Sequence, residues 1–218
     1  AEILGYHYPA FPTASLQKIL KKHSFLKQLT DLGVSCTFVN PFTEAYFESV
    51  KAGKRKHSAS TLSTLAAELP FRFESDLLQN KAVTWDITRE MFKTYAKEDI
   101  DCVEPETAAQ HLLSLSDDYQ FLFYETFKTD LLGHRHDYAG AVSFLQILDR
   151  FLGYVFNHHL DDVCVIVTSD HGNIEDCSHG AHTRNEVPLI VTNDLVHEAQ
   201  HIFSLIDVTP ALIRYFKQ

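Results

Sequence analysis

The chain has 218 residues, 45% of them hydrophobic and 12% aromatic, which is enough to bury one sizeable core. A formal charge of −10 argues against a nucleic-acid surface and would repel anionic substrates unless cations offset it locally. Cys36, Cys102, Cys164 and Cys177 have neither metal-finger nor redox spacing, and no leader or apolar run of bilayer length is read, which predicts a cytoplasmic protein.

In chain order, apolar residues at helical spacing predict a helix over 16–32, and the Leu32-Gly33 turn leads into a strand over 34–40. Helix returns over 42–51. The stretch Lys51-Ala52-Gly53-Lys54-Arg55-Lys56-His57 is a basic cluster in an acidic protein. Its simpler reading is a solvated loop; its functional reading is a clamp on a substrate phosphate, with Arg55 as the gripping residue because its fork binds oxygens in pairs. A helix capped by Ser58 or Ser60 follows over 58–69. The segment 83–88 reads either as an edge strand or as the start of a helix capped by Asp86. Further helix is expected over 105–115, a buried strand over 119–126, and a long amphipathic helix over 139–157, whose Asp149 is a surface or packing residue. Two apolar runs, 163–168 and from Val187, complete the strands, and Cys164 within the first acts as a small hydrophobe.

Chemistry concentrates where these strands run out. Thr168-Ser169-Asp170-His171-Gly172-Asn173 sets a carboxylate beside an imidazole at a strand end, and Ala181-His182-Thr183 adds a second imidazole just before the last strand. Open α/β sheets place ligand sites at such ends. Carboxylate and neutral imidazole are the O and N ligands that borderline divalent cations accept. Upstream, Thr129-Asp130-Leu131-Leu132-Gly133-His134 spaces a carboxylate and an imidazole four apart, which one helical turn brings to one face. Asp130, His134 and His182 can therefore supply three ligands to one ion and leave a position open. Asp170 and His171 are half of a second site. His179 reads as a surface residue of a polar turn, and His136, His158 and His159 as solvated.

DLLGH, then TSDHGN with Glu175 after it, then AHTRNEVPLIV, together resemble the metal-binding half of the alkaline phosphatase superfamily, most closely cofactor-independent phosphoglycerate mutase and phosphopentomutase. The ending Ser204-Leu205-Ile206-Asp207-Val208-Thr209-Pro210-Ala211-Leu212-Ile213 is similar to that family's last helix. The resemblance runs from Tyr119 to the C-terminus. It implies a two-metal centre in the complete enzyme, Zn or Mn, with Asp130, His134 and His182 on one ion and Asp170 with His171 on the other. It also implies an N-terminal strand ending in Asp and a Ser or Thr nucleophile. Neither is recognisable here, and the opening Ala1–Pro9 resembles a segment that follows the start of the nucleophile helix. The chain is therefore expected to be a fragment without the first strand and nucleophile, holding one ion and catalytically impaired. The 58–103 region is too short for the large inserted cap of the mutases.

These readings predict a single three-layer α/β domain over 1–218, with a mainly parallel central sheet and a small excursion at 58–103. The expected function is divalent-metal-dependent phosphoryl transfer, as phosphatase or phosphomutase, on a small phosphorylated substrate, with no nucleic-acid or membrane partner. Hydrolysis of sulfate esters or phosphodiesters is the alternative within the enzyme class, and a non-catalytic metal-binding protein the alternative outside it.

Overall fold

The computed structural model describes residues 12–218, so the opening segment that bears on the nucleophile lies outside the described residues. Ten α-helices and six short strands are formed there. In chain order they are α1 (Ala14–His23), α2 (Phe25–Asp31), β1 (Cys36–Phe38), β2 (Pro41–Phe42), α3 (Glu44–Lys51), α4 (Ala59–Ala66), β3 (Arg72–Phe73), α5 (Glu74–Leu78) and α6 (Pro105–Ser114). They continue as β4 (Phe121–Phe123), α7 (Lys128–His134), α8 (Tyr138–His158), β5 (Ile166–Thr168), β6 (Leu189–Val191), α9 (Leu195–Ala199) and α10 (Leu205–Tyr215).

Local chemistry explains the boundaries. The single helix expected over 16–32 is two, because Ser24 has extended backbone: its N–H closes α1 on Leu20 O, and its hydroxyl accepts the Lys27 N–H at the start of α2. Ser58 caps α4 as expected, accepting from Thr61 N. Segment 83–88 is neither strand nor helix. Asp86 is fully buried and accepts the Met91 N–H at 2.6 Å, while Ile87 (φ 66°) and Arg89 (φ 69°) both take left-handed backbone. That conformation is costly for a β-branched residue, by roughly 1–2 kcal/mol, and rules out a regular ladder here.

The α/β character holds, but the expected single central sheet does not form among the described residues. Instead there are three two-stranded sheets: β1 with β4 and β2 with β3 are parallel, and β5 with β6 is antiparallel. Strands of two or three residues carry too few ladder bonds to build a broad sheet. The two apolar runs that form β5 and β6 are partly exposed, with Leu189 at 37% and Ile190 at 44%.

The main core lies where α6, α7 and α8 meet, around Ala108, Ala109, Leu132, Ala141, Phe144, Phe151 and Val155, with Val39 and Val83 joining from the β1 side. Burying a Phe or Leu of this kind stabilises by about 1.5–3 kcal/mol. Contrary to the sequence reading, α8 is long and apolar enough to cross a bilayer by length and composition. Four of its residues are nevertheless buried in this core. A second core joins α2 to β1, with Leu26, Leu29 and Cys36. Past the paired ends of β1 and β4, Asn40 and Glu125 clasp each other: Asn40 Nδ2 donates to Glu125 O at 2.8 Å, and Glu125 N donates to Asn40 Oδ1 at 2.9 Å. This fixes the end of β4, from which the chain turns into α7.

Candidate metal centre

Helix α7 displays Asp130 and His134 one turn apart, as their spacing predicts. The loop after β5 supplies Asp170 and His171, and the segment that returns toward β6 supplies His182. A backbone bridge between Gly172 and Thr183 holds this loop against that segment. Thr183 N donates to Gly172 O at 3.0 Å.

Asp130 Oδ1 is the focus. His182 Nε2 lies 3.1 Å from it, His134 Nε2 3.2 Å and His171 Nε2 3.7 Å. His134 Nε2 and His182 Nε2 are 3.1 Å apart. Ring nitrogens at about 2.0–2.1 Å from a tetrahedral cation are separated by roughly 3.3 Å, so these donors have the spacing that such an ion spans. His134 Nδ1 donates to the Gly180 carbonyl at 2.6 Å, which leaves the Nε2 lone pair of the neutral ring facing the cluster. Burial, followed by neighbouring His171, lowers the His182 pKa below the ordinary imidazole range and favours its neutral, ligating form. The donor set therefore fits a divalent cation.

The arrangement differs in one respect from the division expected from sequence. His171, assigned with Asp170, sits between the two carboxylates, 3.6 Å from Asp170 Oδ1 and 3.7 Å from Asp130 Oδ1. Its ring stacks on His182, with centroids 3.7 Å apart and planes at 22°. Asp130, His171 and His182 together satisfy the geometry for one ion. Asp170 is at the rim, with its side chain 82% exposed. Arg55 is exposed on the loop after α3; its backbone N–H donates to Ser49 O at 3.2 Å, and its side chain makes no hydrogen bond or ion pair among the described residues. Its charge acts on the Tyr95 hydroxyl, which accepts from Trp85 Nε1, and Trp85 stacks on Phe127 beside α7. His179 lies 3.5 Å from Asp176 and is outside the donor cluster, although its Nδ1 accepts the Ala181 N–H at 3.3 Å, next to His182.

Two residues escaped the sequence reading. Glu125, two residues past β4, accepts from Ser60 Oγ at 2.7 Å and has its pKa raised by burial and by the Asp170 carboxylate. A carboxylate at a strand end was the available signal. Asn173 lies inside the quoted TSDHGN, yet only the folded loop shows that it is buried beneath the ligands.

Comparison with known proteins follows the same residues. The 2,3-bisphosphoglycerate-independent phosphoglycerate mutase of Nitrosococcus oceani is 33% identical over 107 residues, covering 45% of this chain and 20% of that protein. The enzyme of the same name from Moorella thermoacetica is 30% identical over 156 residues, covering 67% of this chain and 28% of that protein. The match thus spans between a fifth and under a third of these relatives' length. Among solved structures, the PH0037 protein from Pyrococcus horikoshii aligns with TM-score 0.48 and 20% identity, over 76% of this chain and 39% of that one. The model of the Metalloenzyme superfamily matches residues 78–217, which include every residue of the Asp130 cluster, and the chain belongs to that superfamily.

Proposed function

We propose that this chain carries the metal-holding part of a divalent-metal-dependent phosphoryl-transfer enzyme, a phosphatase or phosphomutase acting on a small phosphorylated substrate. The observation that carries the reading is the convergence of three imidazole nitrogens on one carboxylate oxygen within 3.1–3.7 Å. The relatives' description as phosphoglycerate mutases supports the reaction class. In this reading Asp130, His134 and His182 hold the first ion, with His171 close enough to join them, and Asp170 offers a ligand to a second. A nitrogen-rich donor set of this kind suits Zn2+ and also accepts Mn2+.

When bound, the cation supplies Lewis acidity toward a phosphoryl oxygen. The chain's own residues do the rest. The Gly180 carbonyl fixes the His134 tautomer, and burial keeps His182 neutral. Asp130 offsets cationic charge at the centre of the cluster. Arg55, exposed and without an ion pair among the described residues, is the residue we assign to the substrate phosphate. We assign no nucleophile in this chain.

The test is metal content per chain after removal of loosely bound ions, measured together with hydrolysis of an aryl phosphate monoester. About one Zn2+ or Mn2+ per chain, lost in His182→Ala, supports the ligand assignment. Retention of the ion in that variant, or a wild-type chain that takes up none, overturns it. Turnover that needs the ion places the chemistry in this chain, and an inert but loaded chain limits its role to holding the metal.

A further inference from the structure

Three stretches of chain bring the ligands together: α7 with Asp130 and His134, the loop 170–176 with Asp170 and His171, and the segment 180–185 with His182. They meet at one side chain. Asn173 is 4% exposed, and its Nδ2 donates to the Ala181 carbonyl at 3.4 Å, next to His182. Its Oδ1 lies so close to Gly133, between Asp130 and His134, that a Cβ built on Gly133 would fall 1.6 Å from it and 2.5 Å from Cγ. Its backbone N–H donates to Glu175 Oε2 at 2.6 Å. Glu175 Oε1 in turn accepts from Asn185 Nδ2 at 3.0 Å and from the Thr183 hydroxyl, which ties the far side of His182 to the same loop.

The amide orientation follows from these neighbours, since the reverse would press Oδ1 against the Ala181 carbonyl oxygen. In the observed orientation Oδ1 is buried with no hydrogen-bond partner among the described residues and lies against the bare Cα of Gly133. Buried acceptors are nearly always satisfied. One held unsatisfied at the junction of three ligand-bearing segments marks a position kept for spacing.

We propose that Asn173, packed against Gly133, is a positioning residue that sets the separation of α7 from the His171 and His182 segments, and so the size of the metal cage; the proposal rests on the ligand assignment above. A short planar amide fills the gap that glycine leaves. It brings the His134 and His182 nitrogens to 3.1 Å and keeps the donor set at cation-binding distance.

The test is a double-mutant cycle with Zn2+ alone as probe, read by competition against a chelator. Asn173→Ala, which empties the gap, and Gly133→Ala, which overfills it, should each weaken Zn2+ binding about 10- to 100-fold, as loss of outer-shell support does at metal sites. Stoichiometry at saturating Zn2+ should stay unchanged. In the double variant the added methyl enters the space vacated by the amide, so its loss should be clearly smaller than the product of the single losses. Asn173→Asp keeps the shape and should still weaken binding, because it loses the donor to Ala181 and sets a charge beside Glu175. Losses that multiply, or an Asn173→Ala affinity equal to wild type, would overturn the proposal. Amide hydrogen exchange on the metal-free protein tests the brace independently of the ligands. Asn173→Ala should speed exchange in both 128–134 and 180–185 while leaving the centre of α8 unchanged, and unchanged exchange in the first two segments refutes it. A wild-type chain that binds no Zn2+ but shows this exchange pattern would overturn the ligand assignment and leave the brace standing.

Discussion

His171→Ala decides how the ligands are shared. By sequence order His171 pairs with Asp170 on a second ion, whereas in space it is almost equidistant from Asp170 and Asp130 and lies against His182. Four-ligand zinc sites contribute about 10–16 kcal/mol of binding free energy. An equal share for one of four donors is roughly 2.5–4 kcal/mol, and a water molecule entering the vacated position recovers part of it. At 1.4 kcal/mol per decade, the first ion's affinity should therefore fall about 100-fold. Loss of the ring stack on His182 adds a smaller cost to the metal-free fold, about 0.5–1.5 kcal/mol. The assay is chelator competition at one equivalent of Zn2+, with His179→Ala as control. His179 offers no donor to the cluster and touches its segment only through the Ala181 N–H, so that variant should change the affinity far less than His171→Ala. A first-ion affinity that changes less than about tenfold in His171→Ala would refute the four-donor geometry and restore the division read from sequence.

Glu125→Gln should stabilise the metal-free chain increasingly as pH rises. The raised pKa means that the folded state binds this proton more tightly than the unfolded state, so wild-type stability declines as pH climbs from the ordinary carboxylate range through the folded value. The neutral amide lacks that dependence, and a melting-temperature gap that stays constant between about pH 4 and about pH 8 would contradict it. Alkylation of the native protein should label exposed Cys102 first and Cys36 last, since burial pushes the Cys36 thiol up to about 11; peptide mapping that finds Cys36 modified early would show that the α2–β1 core opens readily. Gly153→Ala on α8 meets no atom within 4 Å. It should stabilise by up to about 1 kcal/mol through helix propensity, or about 2–4 °C in Tm, and a loss would mean that this face of α8 is covered in solution.

The helices were legible in the sequence because their signals are local. The cap at Ser58, proline at the start of α6, and the apolar spacing of 139–157 each act within a few residues; α6 and α8 form within a residue of expectation, and α4 starts as expected but ends three residues early. The break at Ser24 was missed because apolar spacing continues across it, and only the serine's capping role interrupts the backbone. The runs that form β1, β4, β5 and β6 were located, whereas the two-residue β2 and β3 were not, and the pairing of all of them depends on partners far away in sequence. Cys36 pairs with Phe121, and Ile166 with Val191 antiparallel rather than parallel. Segment 83–88 defeated periodicity because buried Asp86 organises a turn around left-handed Ile87 and Arg89, which no alternation of apolar residues reports.

At the metal centre the same distinction separates which residues from which partnership. Motif and spacing singled out Asp130, His134, Asp170, His171 and His182 as candidate ligands, since a carboxylate and an imidazole at a strand end or one helical turn apart are features of short sequence. How those donors are divided is set by the distance between α7 and the loop after β5, and that distance is fixed by residues with no ligating chemistry. Gly133 leaves a gap, Asn173 fills it, and the Gly180 carbonyl orients the His134 ring. A side chain at 133 or a shorter one at 173 would leave all five ligands in the sequence while changing the cage they enclose. Candidate ligands are thus written in the motifs, whereas the spacing between them is written in the small residues that separate them.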